Sequence, residues 1–402
     1  MNSSLLSNRD FVRLWVGQAA SFVGDAVSMI AFVVLIVQLT GSASAVGGGL
    51  VARLLPSLFG PFFGVLADRM DRRMLLVGSD LVRALLAVGC VFARDIIVLY
   101  VLIFLMGAAR ALFNPTVRAA FPSVVGEGDL TRANSLISAT FSVSVTIGPA
   151  LGGLLVAGVG VGAAFLLDAV TFLFSAALLY RIPLPRPEGG EGEEESFFSE
   201  LRSGLGYLGR ARVPLTMVCG AFLTVLATDL ATPAEVFLAR ETFAAGDTGY
   251  GLLVGIWGAG MVAGSAATGV FGDRLPLLPL YFLSVFAWAA AFVGTGMAPV
   301  FAVALGALAI AGVANGIDNV ATDTILQKRV PDALLGRVFS VRFTGYSAAE
   351  AIAYPLGGLL VDASGARQTF AISGVATAVA GVLILLILIV APAKPEEKAE
   401  HA

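Results

Sequence analysis

Apolar residues occupy this chain in long blocks broken by short polar turns. Blocks of roughly 20 apolar residues are long enough to cross a bilayer as helices. They fall at 11–39, 45–67, 74–93, 96–117, 135–157, 162–182, 214–239, 250–272, 276–296, 299–325, 340–362 and 368–391. The pattern predicts twelve spans, six in each half. The halves are also related in sequence: GVLADR, ending at Asp68-Arg69, returns as GVFGDR at Asp273-Arg274, 205 positions on. GGLL at Gly152 and Gly357, and the L-x-R-x-x-S pattern at Leu130 and Leu335, repeat at the same offset. Agreement of three motifs at one spacing marks an internal repeat.

Composition agrees with a membrane chain. Of 402 residues, 57% are hydrophobic and 13% charged, and the mean hydropathy is +0.90, far too apolar for a water-soluble domain. The net charge of −3, with basic residues dispersed among loops, excludes a nucleic-acid partner. Cys90 and Cys219 both lie inside predicted spans, where they suit neither a secreted disulfide framework nor a zinc cluster.

Loop charge sets the orientation, because Lys and Arg are retained on the cytoplasmic side. Only Arg94, Arg240 and Arg367 fall opposite the side shared by the two termini. Both termini are therefore expected in the cytoplasm, as an even number of spans requires. The expected organisation is a six-helix bundle over 1–182, a cytoplasmic linker over 183–213, a second bundle over 214–391 and a cytoplasmic tail over 392–402. The acidic, Gly- and Pro-rich start of the linker cannot form a core. Phe197, Phe198, Leu201, Leu205 and Leu208 then recur at helical spacing, which suits either an amphipathic helix on the inner membrane surface or a plain tether.

The repeated turn motif combines Gly64, Asp68, Arg69, Arg72 and Arg73 in the first half with Gly269, Asp273 and Arg274 in the second. Glycine permits close helix approach in lipid, and the charges form a cluster able to latch one conformation. An ordinary positively charged inner turn would explain the arginines, but neither Gly64 nor Asp68 nor their return. This motif resembles the loop signature of the major facilitator superfamily, G-x-x-x-D-R-x-G-R-R, with Asp71 standing where the superfamily usually has Gly. SDLVRA (Ser79–Ala84), LDAVTFL (Leu167–Leu173) and NRDFVRLWVGQ (Asn8–Gln18) are most similar to the drug:proton antiporter branch that includes macrolide efflux pumps and the bacterial enterobactin exporter. TIGPALGG, with Gly148, Pro149, Gly152 and Gly153, resembles that superfamily's antiporter motif. Proline bends a helix and glycines allow tight crossing, although a simple kinked span would use the same residues.

Charges inside apolar spans cost a few kcal/mol each, of order 2.5–3.5, unless sheltered. They therefore guide the functional reading. Asp25, Arg53, Asp80, Arg83, Arg110, Asp168, Asp229, Glu235, Asp318, Asp323 and Glu350 qualify. Asp25 and Asp229 occupy nearly equivalent repeat positions and are the candidate proton sites. Asp80 and Arg83, three apart on one helix face, are expected to neutralise each other. Asp168 suits a buried helix-pairing role as well as a substrate role.

The resemblance implies an all-α membrane protein with twelve transmembrane helices in two pseudo-symmetric six-helix bundles, the first, fourth, seventh and tenth lining a central cavity. Asp25, Arg110, Asp229 and Asp318 fall on those four. It implies proton-coupled export across a bacterial inner membrane of a lipophilic or amphiphilic small molecule, with Arg110, Asp318, Glu235 and Glu350 facing the substrate. A siderophore or lysophospholipid is the alternative cargo; a non-transporting receptor or scaffold is the alternative class. One proton crossing about 100 mV and one pH unit delivers roughly 3–4 kcal/mol, enough to drive a steep substrate gradient. Partners are then a small amphiphilic substrate, protons and the lipid bilayer, with no obligatory protein partner evident and no cofactor.

Absences narrow the classes further. None of the three lysines, Lys328, Lys394 and Lys398, lies in a nucleotide-binding loop, and the only histidine is His401 in the tail. A phosphate-cradling engine, a His-ligated metal and a serine–histidine catalytic site are all excluded. The glycine-rich run Gly251–Ser265 is expected to pack helices rather than bind nucleotide.

Overall fold

A computed structural model describes residues 5–59, 62–63, 66, 70–126, 129–184, 197–271 and 276–390. Within these the chain is helical and no strand occurs. The first half comprises α1 (Arg9–Thr40), α2 (Ala43–Leu54), α3 (Arg72–Phe92), α4 (Ile96–Val125), α5 (Leu130–Val159) and α6 (Val161–Leu179). After α7 (Phe197–Leu208), the second half comprises α8 (Arg212–Thr228), a short α9 (Ala234–Phe237), α10 (Gly246–Phe271), α11 (Leu277–Met297), α12 (Phe301–Arg329), α13 (Asp332–Ser364) and α14 (Ala366–Val390).

Ten of the described spans are long and apolar enough to cross a membrane, counting Arg212–Thr242 as one. The shorter apolar stretch Ala43–Phe59 and the 33-residue, more polar α13 stand at the second and eleventh expected positions. Leu85, Phe92, Val159 and Met297 each leave more than 70% of their surface uncovered. Such exposure along whole helix faces fits a hydrocarbon solvent, in which apolar side chains need no protein cover.

The turns follow from local chemistry. The Asn8 carboxamide accepts from the N–H groups of Asp10 and Phe11 at 3.0 and 3.1 Å and caps α1, which ends on Gly41 at φ 64°. Asp95 caps α4 in the same manner. Asp71, the departure from the superfamily signature, accepts from the Met74 N–H at 3.1 Å and caps α3. A carboxylate there satisfies a donor that the first helical turn cannot.

The two halves repeat one packing scheme. In the first, α1 packs on α5 and α6 while α3 packs on α4 and α6; in the second, α8 packs on α13 and α14 while α11 packs on α12 and α14. Counterpart helices thus make counterpart contacts. Compact units nevertheless depart from the halves, because residues 235–258 cluster with Met1–Gly192, and Glu193–Ala234 with Ala259–Ala402.

Glycine explains that exchange. A methyl group at Gly153 would lie 2.6 Å from the Asp247 carbonyl oxygen and 3.0 Å from the Gly251 Cα, and one at Gly255 would lie 3.0 Å from the Thr146 carbonyl oxygen. Backbones of α5 and the start of α10 therefore touch. Farther along α10, Gly260 and Gly264 meet the backbone of α12. The run Gly251–Ser265 packs helices, as its spacing predicts. On the other face of α5, Gly148 abuts Ala26 and Gly152 lies against Val27 of α1.

The seventh span is broken. After α8 the backbone tightens into a 3-10 turn at Asp229–Ala231, resumes at Ala234–Phe237 and widens at Leu238–Thr242. Pro233 lacks the N–H that would bond the Asp229 carbonyl, and the Thr232 N–H takes that oxygen instead at 3.2 Å. Gly357 of α13 packs against Leu230 in this turn, so the altered glycine motif of the second half serves the break.

Helix α7 is held by protein. Leu208 is buried in the core formed with α8, α11, α12 and α13, the Arg337 guanidinium donates to Ser203 Oγ at 3.1 Å, and Tyr207 donates to the Arg329 carbonyl at 3.2 Å. This segment is thus docked on the ends of α12 and α13. Residues 185–196 of the expected linker, and the expected tail, lie outside the described residues.

Candidate functional site

A cavity of about 730 Å³ opens within the first half. Its wall takes Gln18, Ser21, Phe22 and Asp25 from α1, Arg83 from α3, Arg110, Phe113, Asn114 and Arg118 from α4, and Asn134, Ser138, Phe141 and Ser142 from α5. The volume lies in the range of small-molecule sites, and the mixture of aromatic faces with a few amides and charges is what such sites use.

Asp25 and Arg110 form an ion pair across this cavity, Nη1 to Oδ2 at 3.7 Å, with side chains 18% and 37% exposed. The pair is long for an ion pair, and both members are open to the cavity on one side. Arg83 is held differently. It pairs with Asp80 one turn away, with both side chains buried, and its guanidinium lies 4.4 Å from the ring centroids of Phe113 and Phe172. The expected neutralisation of Asp80 by Arg83 is therefore present, and the two aromatic faces add cation–π attraction.

A pocket of about 30 Å³ continues inward between Asp25, Ser28, Arg53, Arg83, Arg110 and Phe165. Asp168 of α6 is fully buried nearby, within electrostatic reach of Asp25, Arg53 and Arg83.

The remaining sequence candidates are dispersed. Asp229 sits in the 3-10 turn rather than in a continuous helix such as the one that carries Asp25. Glu235 is partly buried in the short α9, and Glu350 lies one turn before Tyr354, within hydrogen-bond reach of it. Asp318 of α12 is buried, with Oδ1 unpartnered, in a polar cluster of the second half. That cluster centres on Arg342, a residue absent from the sequence candidates. Arg342 is buried, pairs with Asp323, and donates to Tyr346 Oη at 3.2 Å. Its signal was a basic residue inside the apolar start of a span.

Of the repeated turn motif, Gly64, Asp68, Arg69, Asp273 and Arg274 lie outside the described residues. Gly269 is exposed at the end of α10. The two described arginines are anchored within their own half: Arg72 donates to the Ala119 carbonyl at 3.1 Å, and the Arg73 guanidinium lies 4.2 Å from the Tyr180 ring centroid. They tie the start of α3 to the ends of α4 and α6.

Comparison with known proteins sets this geometry in a family. A model of the major facilitator superfamily described as "transmembrane secretion effector" matches residues 2–401. The chain belongs to this family. Proteins that resemble it include the MFS-type transporter YfiS of Bacillus subtilis, 27% identical with 96% of this chain and 95% of that protein covered. Macrolide efflux protein A of Streptococcus pyogenes is 24% identical with 95% of each covered, and the putative bacilysin exporter BacE of Bacillus subtilis is 29% identical with 82% of each covered. Among solved structures, a bacterial homolog of the lysosomal transporter Spinster, inward-facing and unoccupied, superposes with a TM-score of 0.75 at 16% identity over 96% of this chain and 98% of that one. The nucleoside transporter NupG gives 0.73 at 12% identity over 94% and 98%. At such identities the likeness establishes the fold. The chain is a multi-pass membrane transporter of the major facilitator type, not an enzyme.

Proposed function

We propose that this secretion effector exports lipophilic or amphiphilic small molecules from a bacterial cell in exchange for protons. The supporting observation is the Asp25–Arg110 pair, loosely held at 3.7 Å in a cavity of about 730 Å³ within an apolar bundle. A carboxylate that binds a guanidinium weakly can release it on taking up a proton. The freed guanidinium and the neutral carboxyl then present a different surface to the ligand. Phe22, Phe113 and Phe141 supply apolar faces, and Gln18, Asn114 and Asn134 supply amides for orientation.

Asp229 is the proposed second proton site, at the break of the seventh span, while Asp318, Glu235 and Glu350 serve the substrate path of the second half. The bundles of 1–182 and 214–391 alternate between inward-open and outward-open states about their packed helices, with both termini in the cytoplasm. Motifs Gly64–Arg73 and Gly269–Arg274 latch the inner gate; the antiporter motif, Gly148–Gly153, packs the moving helices.

The test is flux. Purified protein in vesicles should move a macrolide against its gradient when a pH difference is imposed, and an uncoupler should abolish the movement. A siderophore and a lysophospholipid belong in the same panel as alternative cargoes. Gradient-driven flux that survives in both Asp25→Asn and Asp229→Asn would overturn the proton assignment, and binding without net movement would favour a receptor.

A further inference from the structure

The first half buries a carboxylate that no cation holds in an ion pair. Asp168 of α6 has no exposed surface, and the donor within reach of its carboxylate is the single Ser28 hydroxyl of α1. Its position depends on a notch in α1, since a methyl group at Gly24 would lie 2.6 Å from Asp168 Oδ1. The carboxyl is thus pressed against the α1 backbone one residue before Asp25.

Charged and titratable groups approach it from three elements: Asp25 of α1, Arg53 of α2, and Arg83 and Cys90 of α3. None closes a bond to it. Arg83 is engaged by Asp80 and two phenyl rings, Arg53 Nη1 lies 2.7 Å from Met29 Sδ, and the Ser28 hydroxyl donates to the Asp25 carbonyl at 3.3 Å. An ionised carboxylate in that setting carries a large uncompensated desolvation cost.

We propose that Asp168 is a proton-carrying residue of the transport cycle, holding a proton in this conformation and passing it to Asp25. The inference rests on the proton-coupled reading above. In the step, the Oδ–H bond of Asp168 breaks and the proton joins an Asp25 carboxylate oxygen. The pocket of about 30 Å³ beside Asp25 has room for one water, and the Ser28 hydroxyl on its wall reaches Asp168 and completes the relay. Asp168 is left anionic within reach of Arg53 and Arg83, and Asp25, now neutral, releases Arg110 into the cavity. Gly24 is the device that brings the two carboxyl groups onto one stretch of α1.

Infrared spectroscopy of the full chain in vesicles at neutral pH reads this directly through the carbonyl stretch of a protonated carboxylic acid. Asp168→Asn should remove one such band, Asp168→Glu should shift it, and Asp25→Asn should leave it in place. Asp168→Asn should also lower gradient-driven macrolide flux about tenfold or more, the equivalent of roughly 1.4 kcal/mol, while macrolide counterflow without a gradient persists. A merely structural role would reduce both. An unchanged acid band in Asp168→Asn, or unchanged gradient-driven flux, overturns the proposal. Absence of gradient-driven flux in the unmodified protein overturns the proton-coupled reading instead, whatever the spectrum shows. Should Asp168→Asn fail to fold, the band shift in Asp168→Glu decides the matter.

Discussion

The Ser373 hydroxyl of α14 donates to the Ala227 carbonyl at 2.7 Å, with the Thr228 carbonyl 3.3 Å away. These are carbonyls that the break at Asp229 releases from the helical ladder of α8. In hydrocarbon there is no water to take them, so a neighbouring helix must. A side chain 145 positions away in sequence therefore holds open the turn that carries a candidate proton site.

Ser373→Ala should lower unfolding stability in detergent by about 1 kcal/mol, near the middle of measured membrane hydrogen bonds. Thr377→Ala removes only a bond to a carbonyl of its own helix and should cost less. Thermal unfolding of the two variants side by side checks the difference.

Gly153→Val should be poorly tolerated. Even a methyl at Gly153 would stand 2.6 Å from the Asp247 carbonyl oxygen, where backbone rather than a flexible side chain must yield. Overpacking of this kind costs about 1–3 kcal/mol. Gly158, which meets nothing on adding a methyl group, should accept alanine with little change in unfolding temperature.

Asp25 and Arg110 should separate function from stability. Their pair is partly exposed and long, and such pairs contribute about 0–1 kcal/mol. Asp25→Asn and Arg110→Gln should then unfold within about 1 kcal/mol of the parent while gradient-driven flux falls by far more. Parallel loss of stability and flux would mean that the pair is structural.

Arg342 behaves in the opposite way. It is buried between Asp323, which is 45% exposed, and the buried Asp318. Asp323→Asn leaves Asp318 as an alternative partner and should be mild. Asp318→Asn with Asp323→Asn strands the guanidinium, a loss on the order of 3–5 kcal/mol. A double-mutant cycle should therefore show strong coupling between two residues on one helix, read as unfolding free energy.

Arg83 offers a fifth contrast. Lysine keeps its charge but cannot lie flat between Phe113 and Phe172, both 4.4 Å from the guanidinium. Arg83→Lys should lower stability by about 1–2 kcal/mol; Asp80→Asn, which leaves the buried cation without its anion, should lower it by more.

What the chain alone determines is whatever arises locally or repeats. Length of the apolar blocks, the offset between the two turn motifs, the Asp80–Arg83 pair one turn apart, and the small-residue spacing of Gly251–Ser265 that marks it as a packing face are all written in the sequence itself. Bilayer thickness and helical periodicity translate them without reference to the rest of the fold. Asp71 is also local: its departure from the superfamily signature becomes intelligible as the cap of α3. The break at Asp229 had a signal in Thr232-Pro233, although a proline in a membrane span bends or breaks it according to what neighbours can supply.

Tertiary structure decided everything that depends on which helix stands beside which. Only packing of α1 on α6 shows that Gly24 makes room for Asp168, and only the approach of α13 to α12 turns Arg342 from a loop charge into the centre of a buried cluster. In a bilayer every helix is apolar nearly all round, so hydrophobic pattern does not say which face meets a neighbour. Those choices fall to small-residue notches and unsatisfied polar groups, whose partners lie tens to hundreds of residues away.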